Sequence, residues 1–393
     1  MAREEAAMTT INIFADLLDP TAAEQIRQIA DHPAIQGQIA IMPDAHAGAG
    51  CVIGFTGHFN RAVIPNIVGV DIGCGVAAVP LAGCRSIDFA ALDRYIRRQI
   101  PLGMHSRKNE RFLEQTGLSD LLTERAVRLC DRIERGFYQA EGIGKHIAPL
   151  LQLGTLGGGN HFIEIGRDSG GSYHLIVHSG SRNLGKRVAE LFQAKARHYT
   201  RQQGLSVPHG LEFLPDQEGG QEYSRWMRAA QEFARLNRRV MLAIILAFFE
   251  LELREDILVE SVHNYICEQD GMVRKGAISA HKGERVIIPL NMADGTILGS
   301  GKGNPVYNFS APHGAGRLYG RKEMFRRLKE GQYSLKQYAD SMRHVFSTSV
   351  NRETFDESKF AYKPLAAIEH HLNETVVVEQ LLIPVYNLKA AGE

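Results

Sequence analysis

The chain alternates amphipathic stretches with short apolar runs, and the spacing within each predicts its element. After Pro20-Thr21, the apolar residues Ala22, Ile26 and Ile29 recur three to four apart, and the pattern stops before Pro33. That is one face of a helix. The same period predicts helices over 88–98, 119–135, 318–328 and 334–346, and a long one from about Gln221 to Glu252. Residues 39–42, 62–68, 173–178 and 382–389 are short apolar runs bounded by turn residues and read as strands. The most apolar segment, residues 240–249, is too short to span a membrane and reads as a buried helix. Residues 1–12 are polar and predict a loose start.

Composition narrows the class. With 44% hydrophobic and 23% charged residues the chain is an ordinary globular one, and 393 residues could hold two or three average domains. A net charge of +1 excludes a globally basic nucleic-acid coater, so any contact with nucleic acid must come from a local patch. Five cysteines, an odd number with no CxxC pair and no signal peptide, predict a reducing cytoplasm rather than a disulfide framework. The 39 glycines cluster in short runs, which predicts loops that carry chemistry.

Those runs hold the candidate residues. Gly69-Val70-Asp71-Ile72-Gly73-Cys74-Gly75 sets a carboxylate three residues before a thiol, a pair that can converge on one metal; alone it reads equally as a strand-ending turn with a buried Cys. In Pro43-Asp44-Ala45-His46, the Asp and His point to one side if the segment is extended, as a second shell around a metal or as a satisfied pair. Gly157-Gly158-Gly159-Asn160-His161-Phe162-Ile163-Glu164 offers bare backbone to a phosphate or metal, with His161 as ligand and Asn160 and Glu164 as polar contacts. His178 ends a strand, and Arg182 precedes a helix expected to start near Lys186, where it suits an anion; the bland alternative is a cap by Ser181. His263 is isolated in a polar setting, and Arg274-Lys275 before Gly276 could clamp a phosphate or lie on an exposed edge. The loop Met104-His105-Ser106-Arg107-Lys108 is basic, more simply a solvated face than a phosphate contact. Trp226 reads as core. His313, framed by Pro312 and Gly314, is presented on a rigid turn and can act as nucleophile, base or ligand.

Taken in order, PDAHAG, VGVDIGCG, LGGGNHFIE, HSGSRNLG, HNY, RKGA, GKGN and PHGAGR resemble the RtcB family of RNA ligases over residues 38–389. The resemblance implies one α+β ligase domain over 1–393, with mixed sheets and flanking helices around a metal and nucleotide cleft. It implies two Mn²⁺ ions on Asp71, Cys74, His161, His178 and His263, the Cys74 thiolate bridging, and GTP whose GMP is carried by His313. Asn160, Phe162, Glu164, Gly314, Ala315, Gly316 and Lys389 would contact the nucleotide; Arg182, Arg274 and Lys275 would contact RNA phosphate. The partner would be RNA with 3′-phosphate or 2′,3′-cyclic phosphate and 5′-hydroxyl ends, with an activating protein as a further partner and no membrane.

Two departures bear on guanine and RNA-end recognition: Val273 stands where many members have His, and Leu290-Asn291-Met292-Ala293-Asp294-Gly295 stands where the family has a Gly-Ser-Met-Gly loop. The chain is also shorter than many members, which suggests a divergent branch. A dinuclear phosphodiesterase that opens RNA ends without joining them would need the metal ligands but not His313 or Lys389. A non-catalytic RNA-end binder would gain nothing from His313 on its rigid turn.

Overall fold

Two antiparallel-rich sheets meet where the candidate residues lie. The computed structural model describes residues 9–115 and 118–390. A seven-stranded sheet runs in the order Arg285–Asn291, Gly295–Gly301, Val376–Leu388, Phe162–Arg167, Tyr173–Ser179, Gly75–Pro80, Val259–Val262, each strand antiparallel to its neighbours. A five-stranded sheet runs Thr10–Ile13, Ile35–His46, Ile53–Phe59, Val273–Lys275, Asn264–Ile266. The chain passes from the first sheet to the second at His263, between Val262 and Asn264. Together with the helices this is the expected α+β architecture.

Several predicted elements shift at their ends. The loose start covers residues 1–8, which lie outside the described residues, and Thr10–Ile13, which is a strand parallel to Ile35–His46. The apolar pair Ile11 and Ile13 supplies the alternation that the polar neighbours obscure. The strand expected over 39–42 extends to His46, so Asp44 and His46 sit on a strand rather than a turn. The helix Pro20–Ala30 buries Ala22, Ile26 and Ile29, as its period predicts, and Asp19 caps it by accepting from the Ala22 N–H at 3.0 Å.

The helix Gly220–Phe248 packs on the helix Arg182–Gln202 and on the seven-stranded sheet, and buries Val240, Met241, Leu242, Ile244, Ile245 and Leu246. It ends four residues before Glu252. Glu250 takes φ +56, and the N–H groups of Glu250 and Leu251 return to the carbonyls of Ala247 and Leu246, a Schellman closure. Trp226 is core, 2% exposed against Phe137. Among the described residues no helix is long and apolar enough to cross a membrane.

One polar group is driven deep into this packing. The Arg238 guanidinium is fully buried under the sheet, donating to the Gly73 carbonyl at 2.9 Å, the Ser179 carbonyl at 2.7 Å and Glu260 at 2.9 Å. Arg238→Ala leaves two strand-end carbonyls and a mostly buried carboxylate short of a donor. It should lower stability by about 3 kcal/mol; urea denaturation of the two proteins measures this, and a loss under about 1 kcal/mol would show the contacts to be dispensable.

Candidate metal and nucleotide cleft

The antiparallel register brings the histidines together. His178, on Tyr173–Ser179, lies opposite Val76 on one side and Phe162 on the other, so Cys74 and His161, just before those neighbouring strands, arrive beside it. The turn that carries Asp71 and Cys74 is pressed against the long helix. A Cβ on Gly73 would lie 2.7 Å from the Gln231 backbone, and its φ is +71, so the position takes glycine. His263 joins through its backbone N–H, which donates to the Cys74 carbonyl at 2.9 Å.

The donor atoms converge. Cys74 Sγ is 3.3 Å from both His161 Nε2 and His178 Nε2, and these three atoms lie within 4.8 Å of one another in fully buried surroundings. Asp71 Oδ2 is 2.9 Å from His161 Nε2. His178 Nδ1 donates to the Asn160 carbonyl at 3.1 Å, which leaves the Nε2 lone pair facing Cys74. Burial, then the neighbouring cationic groups, push His178 and His263 well below the usual histidine range, so both are neutral ligands in waiting. Burial works against the Asp71 charge, but His161 beside it wins and holds the carboxyl down at about 2. Burial and the Asp71 charge lift the Cys74 thiol well above its ordinary value.

That set fits a divalent cation. Buried His161 Nδ1 and His263 Nδ1 have no hydrogen-bond partner, and a thiol beside neutral imidazoles and a carboxylate is a borderline-soft donor set that only a cation would fully satisfy. A cation also supplies the charge that makes the Cys74 thiolate stable.

His313 follows the strand Ser310–Pro312 and lies on the far side of His263, ring centroids 4.9 Å apart. Its Nδ1 is 2.6 Å from Asp44 Oδ2, an ion-pair contact off the ideal hydrogen-bond line, and the same oxygen accepts the His313 backbone N–H at 3.1 Å. Asp44 is fully buried, and Lys363 pins its strand by donating to the carbonyls of Leu17, Pro43 and Ala45 at 2.8–3.2 Å. His46 hydrogen-bonds the Asp44 carbonyl, and burial pushes it down to about 4.

From His313 a cleft of 920 Å³ opens along Asn160, Phe162, Glu164, Gly314, Ala315, Gly316 and Lys389. Burial pushes Glu164 up to about 7 even though Asn387 donates to it at 2.8 Å and Thr296 at 3.1 Å. The Asn387 Oδ1 on the same wall is a buried acceptor without a partner. Lys389 Nζ sits 5.4 Å from the Phe162 ring centroid and donates to Asn160 O and Glu357, both at 3.2 Å. Glu357 also accepts from Arg317 at 3.0 Å and Tyr362 at 2.5 Å; with Lys389 these groups overcome the burial that would raise it and hold it down at about 2.

A profile of the tRNA-splicing ligase RtcB family matches residues 25–390. The chain belongs to the RtcB family. It is 29% identical to the RNA-splicing ligase RtcB of Escherichia coli K12 over 381 residues, 89% of this chain and 90% of that protein. It is also 29% identical to the tRNA-splicing ligase RtcB of Thermococcus kodakarensis over 78% of each chain. To the RNA-splicing ligase RtcB2 of Escherichia coli ATCC 25922 it is 27% identical over 95% of this chain and 91% of that one.

Within this RtcB chain the structure gathers Asp71, Cys74, His161, His178, His263 and His313 at one end of the cleft. Of the three predicted phosphate contacts, Arg182 lies beside the cluster and the other two stand elsewhere. Arg182 opens its helix at φ +55, four residues before the expected start, with no side-chain cap from Ser181. Its guanidinium donates to Thr155 Oγ1 at 3.1 Å and reaches the Gly103 carbonyl beside His161. The glycine run serves this approach: a Cβ on Gly157 would lie 2.2 Å from both Arg182 and His161.

Arg274 and Lys275 are a correction, because both turn inward on a central strand. Arg274 is fully buried on Asp270 (2.7 Å) and Ser310 (2.9 Å); Lys275 donates to the Ala49 and Asn66 carbonyls, each at 2.8 Å. They brace the five-stranded sheet rather than face the cleft. Asp44 braces His313 rather than a metal ligand. Sequence reasoning missed Glu357, Asn387 and Lys363, since an acid, an amide and a base outside any glycine-rich motif carry no spacing signal, and Arg317 stood in PHGAGR without being given a role. Val273 is buried core, and Asn291 folds into its own turn, accepting from the Ala293 and Asp294 N–H groups at 3.0 Å.

Titration with Co²⁺ separates the two halves of the site. The wild type should show a thiolate-to-cobalt absorption band, Cys74→Ser should lack it, and Asp44→Asn should keep it at wild-type affinity. A band surviving in Cys74→Ser would remove Cys74 from the ligand set.

Proposed function

We propose that this chain is a GTP-dependent RNA ligase that joins an RNA 3′-phosphate or 2′,3′-cyclic phosphate to a 5′-hydroxyl through a covalent His313–GMP intermediate. The observation that carries the reading is the placing of His313 between a buried aspartate and a buried cluster of metal-type donors. Asp71, Cys74, His161, His178 and His263 would hold two Mn²⁺ ions. When bound, the metal offsets charge on phosphate oxygens as a Lewis acid.

The protein's own groups account for the rest. Asp44 occupies His313 Nδ1, so the ring proton stays there and Nε2 is left as the nucleophile. Nε2 attacks the α-phosphorus of GTP, the bond to pyrophosphate breaks, and the positive charge on the imidazole is balanced by Asp44. An RNA 3′-phosphate oxygen then displaces His313 and takes the GMP. The 5′-hydroxyl attacks the activated phosphorus, losing its proton, and GMP leaves. Phe162 offers an apolar face to the base, Glu164 accepts from guanine N–H groups and Lys389 donates to its carbonyl. The backbone at Gly314, Ala315 and Gly316 lies beside the ribose and phosphates, Asn160 contacts the nucleotide, and Arg182 orients an RNA phosphate. Arg274 and Lys275 have no part in this.

Incubation with α-³²P-labelled GTP and Mn²⁺, followed by denaturing electrophoresis, tests the step directly. A labelled band in the wild type and none in His313→Ala is expected; label retained in the variant would move the nucleophile elsewhere, and no label in either protein would favour RNA-end opening without ligation.

The pH dependence follows from Glu164. A protonated Glu164 loses acceptor capacity, so nucleotide affinity should rise as pH passes upward through about 7. Glu164→Gln should bind GTP at least about tenfold more weakly and with a flat profile between pH 6 and 8. Calorimetric titration at several pH values checks this, and an unchanged slope in the variant would assign the titration to another group.

A further inference from the structure

A second depression lies away from the cleft, between the helices Asp120–Ile133 and Gly220–Phe248 and the strand Val259–Val262. It is a groove of 640 Å³ into which Arg125 and Arg132 project from one helix and Arg225, Arg228 and Arg235 from the other. We propose that this groove binds the phosphodiester backbone of the RNA substrate, at a distance from the end being joined. The inference rests on the RNA-ligase reading for the identity of the polyanion.

The concentration of guanidinium is local. The whole chain carries a net charge of only +1, yet five arginines line this one groove. Four of them keep roughly half their side-chain surface exposed, from 46% for Arg235 to 55% for Arg132. Two of the acids beside them are shared, while the exposed Glu268 pairs with Arg228 at 3.1 Å. Glu232 serves both Arg132 at 2.8 Å and Arg125 at 3.6 Å. Glu260 is divided among Arg235, Arg238 and Arg239 at 2.9–3.2 Å, two of which lie below the groove floor. Arg225 stacks over Trp226 at 4.8 Å rather than on a carboxylate. The lining holds five arginines against four glutamates, and Arg238 and Arg239 beneath it draw on the Glu260 charge from below.

The chemistry of the lining selects the ligand. A planar guanidinium offers paired N–H donors that match two phosphate oxygens, and such contacts bind without reading sequence. The groove has no stacking platform for bases, since its aromatic residues Trp226 and Tyr265 are 2% and 7% exposed. Arg125 and Arg132, like Arg228 and Arg235, are seven residues apart, two helical turns or roughly 10 Å. They form two columns along the groove, suited to a string of phosphates rather than to one small anion. The groove wall also connects to the chemistry, because the strand Val259–Val262 runs directly into His263.

The test compares the full-length wild type with Arg125→Ala/Arg132→Ala, with Arg225→Ala/Arg228→Ala and with all four changes together. Binding of fluorescein-labelled single-stranded RNA carrying a 3′-phosphate, six or thirty nucleotides long, is followed by anisotropy over a salt series. The quadruple variant should bind the 30-mer at least about tenfold more weakly, with the slope of log Kd against log salt reduced by about 2, while the 6-mer is held as in the wild type. Emission of Trp226, the single tryptophan, should change when the 30-mer binds the wild type. Labelling of His313 by GTP is a separate readout that these changes should leave intact, so failure of the ligase reading and failure of the groove are told apart. Wild-type affinity and salt slope for the 30-mer in the quadruple variant would overturn the proposal. So would polyglutamate competing as strongly as RNA, which would make the groove a site for an acidic protein.

Discussion

The arrangement of the cleft depends on a guanidinium that never reaches it. Arg238 rises from the long helix into the underside of the sheet and holds the carbonyls of Gly73 and Ser179, which lie next to Cys74 and His178. A buried charge of this kind is tolerated only where it is paired and hydrogen-bonded: Nε and one terminal nitrogen make its three bonds, and Glu260 supplies the opposite charge at 2.9 Å. The result is a fixed spacing between two strand ends, and the separation of the sulfur from the imidazole follows from it. The helix thus sets the site's geometry without contributing a ligand.

Two kinds of electrostatics then share one cleft. At the donor end, burial pushes His178 and His263 toward the neutral form and raises the Cys74 thiol, so the cluster is under-satisfied until a cation enters. At the other end Glu357 takes Lys389, Arg317 and Tyr362 together, a hub whose carboxylate opposes the burial that lowers the Lys389 pKa. His313 stands at the junction, close to His263 on one side and Asp44 on the other.

The departures from the family's motifs have a simple physical reading in this fold. Val273 belongs to a strand hydrogen-bonded on both sides, where an apolar β-branched residue packs well. Asn291 closes a tight turn with its own side chain, so Leu290 and Met292 are left to line the cleft beside it. This stretch is therefore more apolar than the neighbouring one, where Thr296 and Asn387 both donate to Glu164.

Much of the fold was legible along the chain, because helical and strand periods are local properties: the face of Ala22, Ile26 and Ile29, the buried helix through 240–249 and the strand ending at His178 all follow from spacing. The ordered motifs also singled out Asp71, Cys74 and the four histidines, since reactive side chains among glycines stand out from packing residues, and the resemblance added Lys389. The roles of Arg274, Asp44 and Arg238 were decided only in three dimensions. An arginine beside a lysine and a glycine looks the same on an edge strand as on a central one, and only strand order turned Arg274 and Lys275 inward. Asp44 was visible as a partner for something, but the fold chose His313, 269 residues away. Local sequence determined which groups could do chemistry; long-range register and burial decided which of them meet.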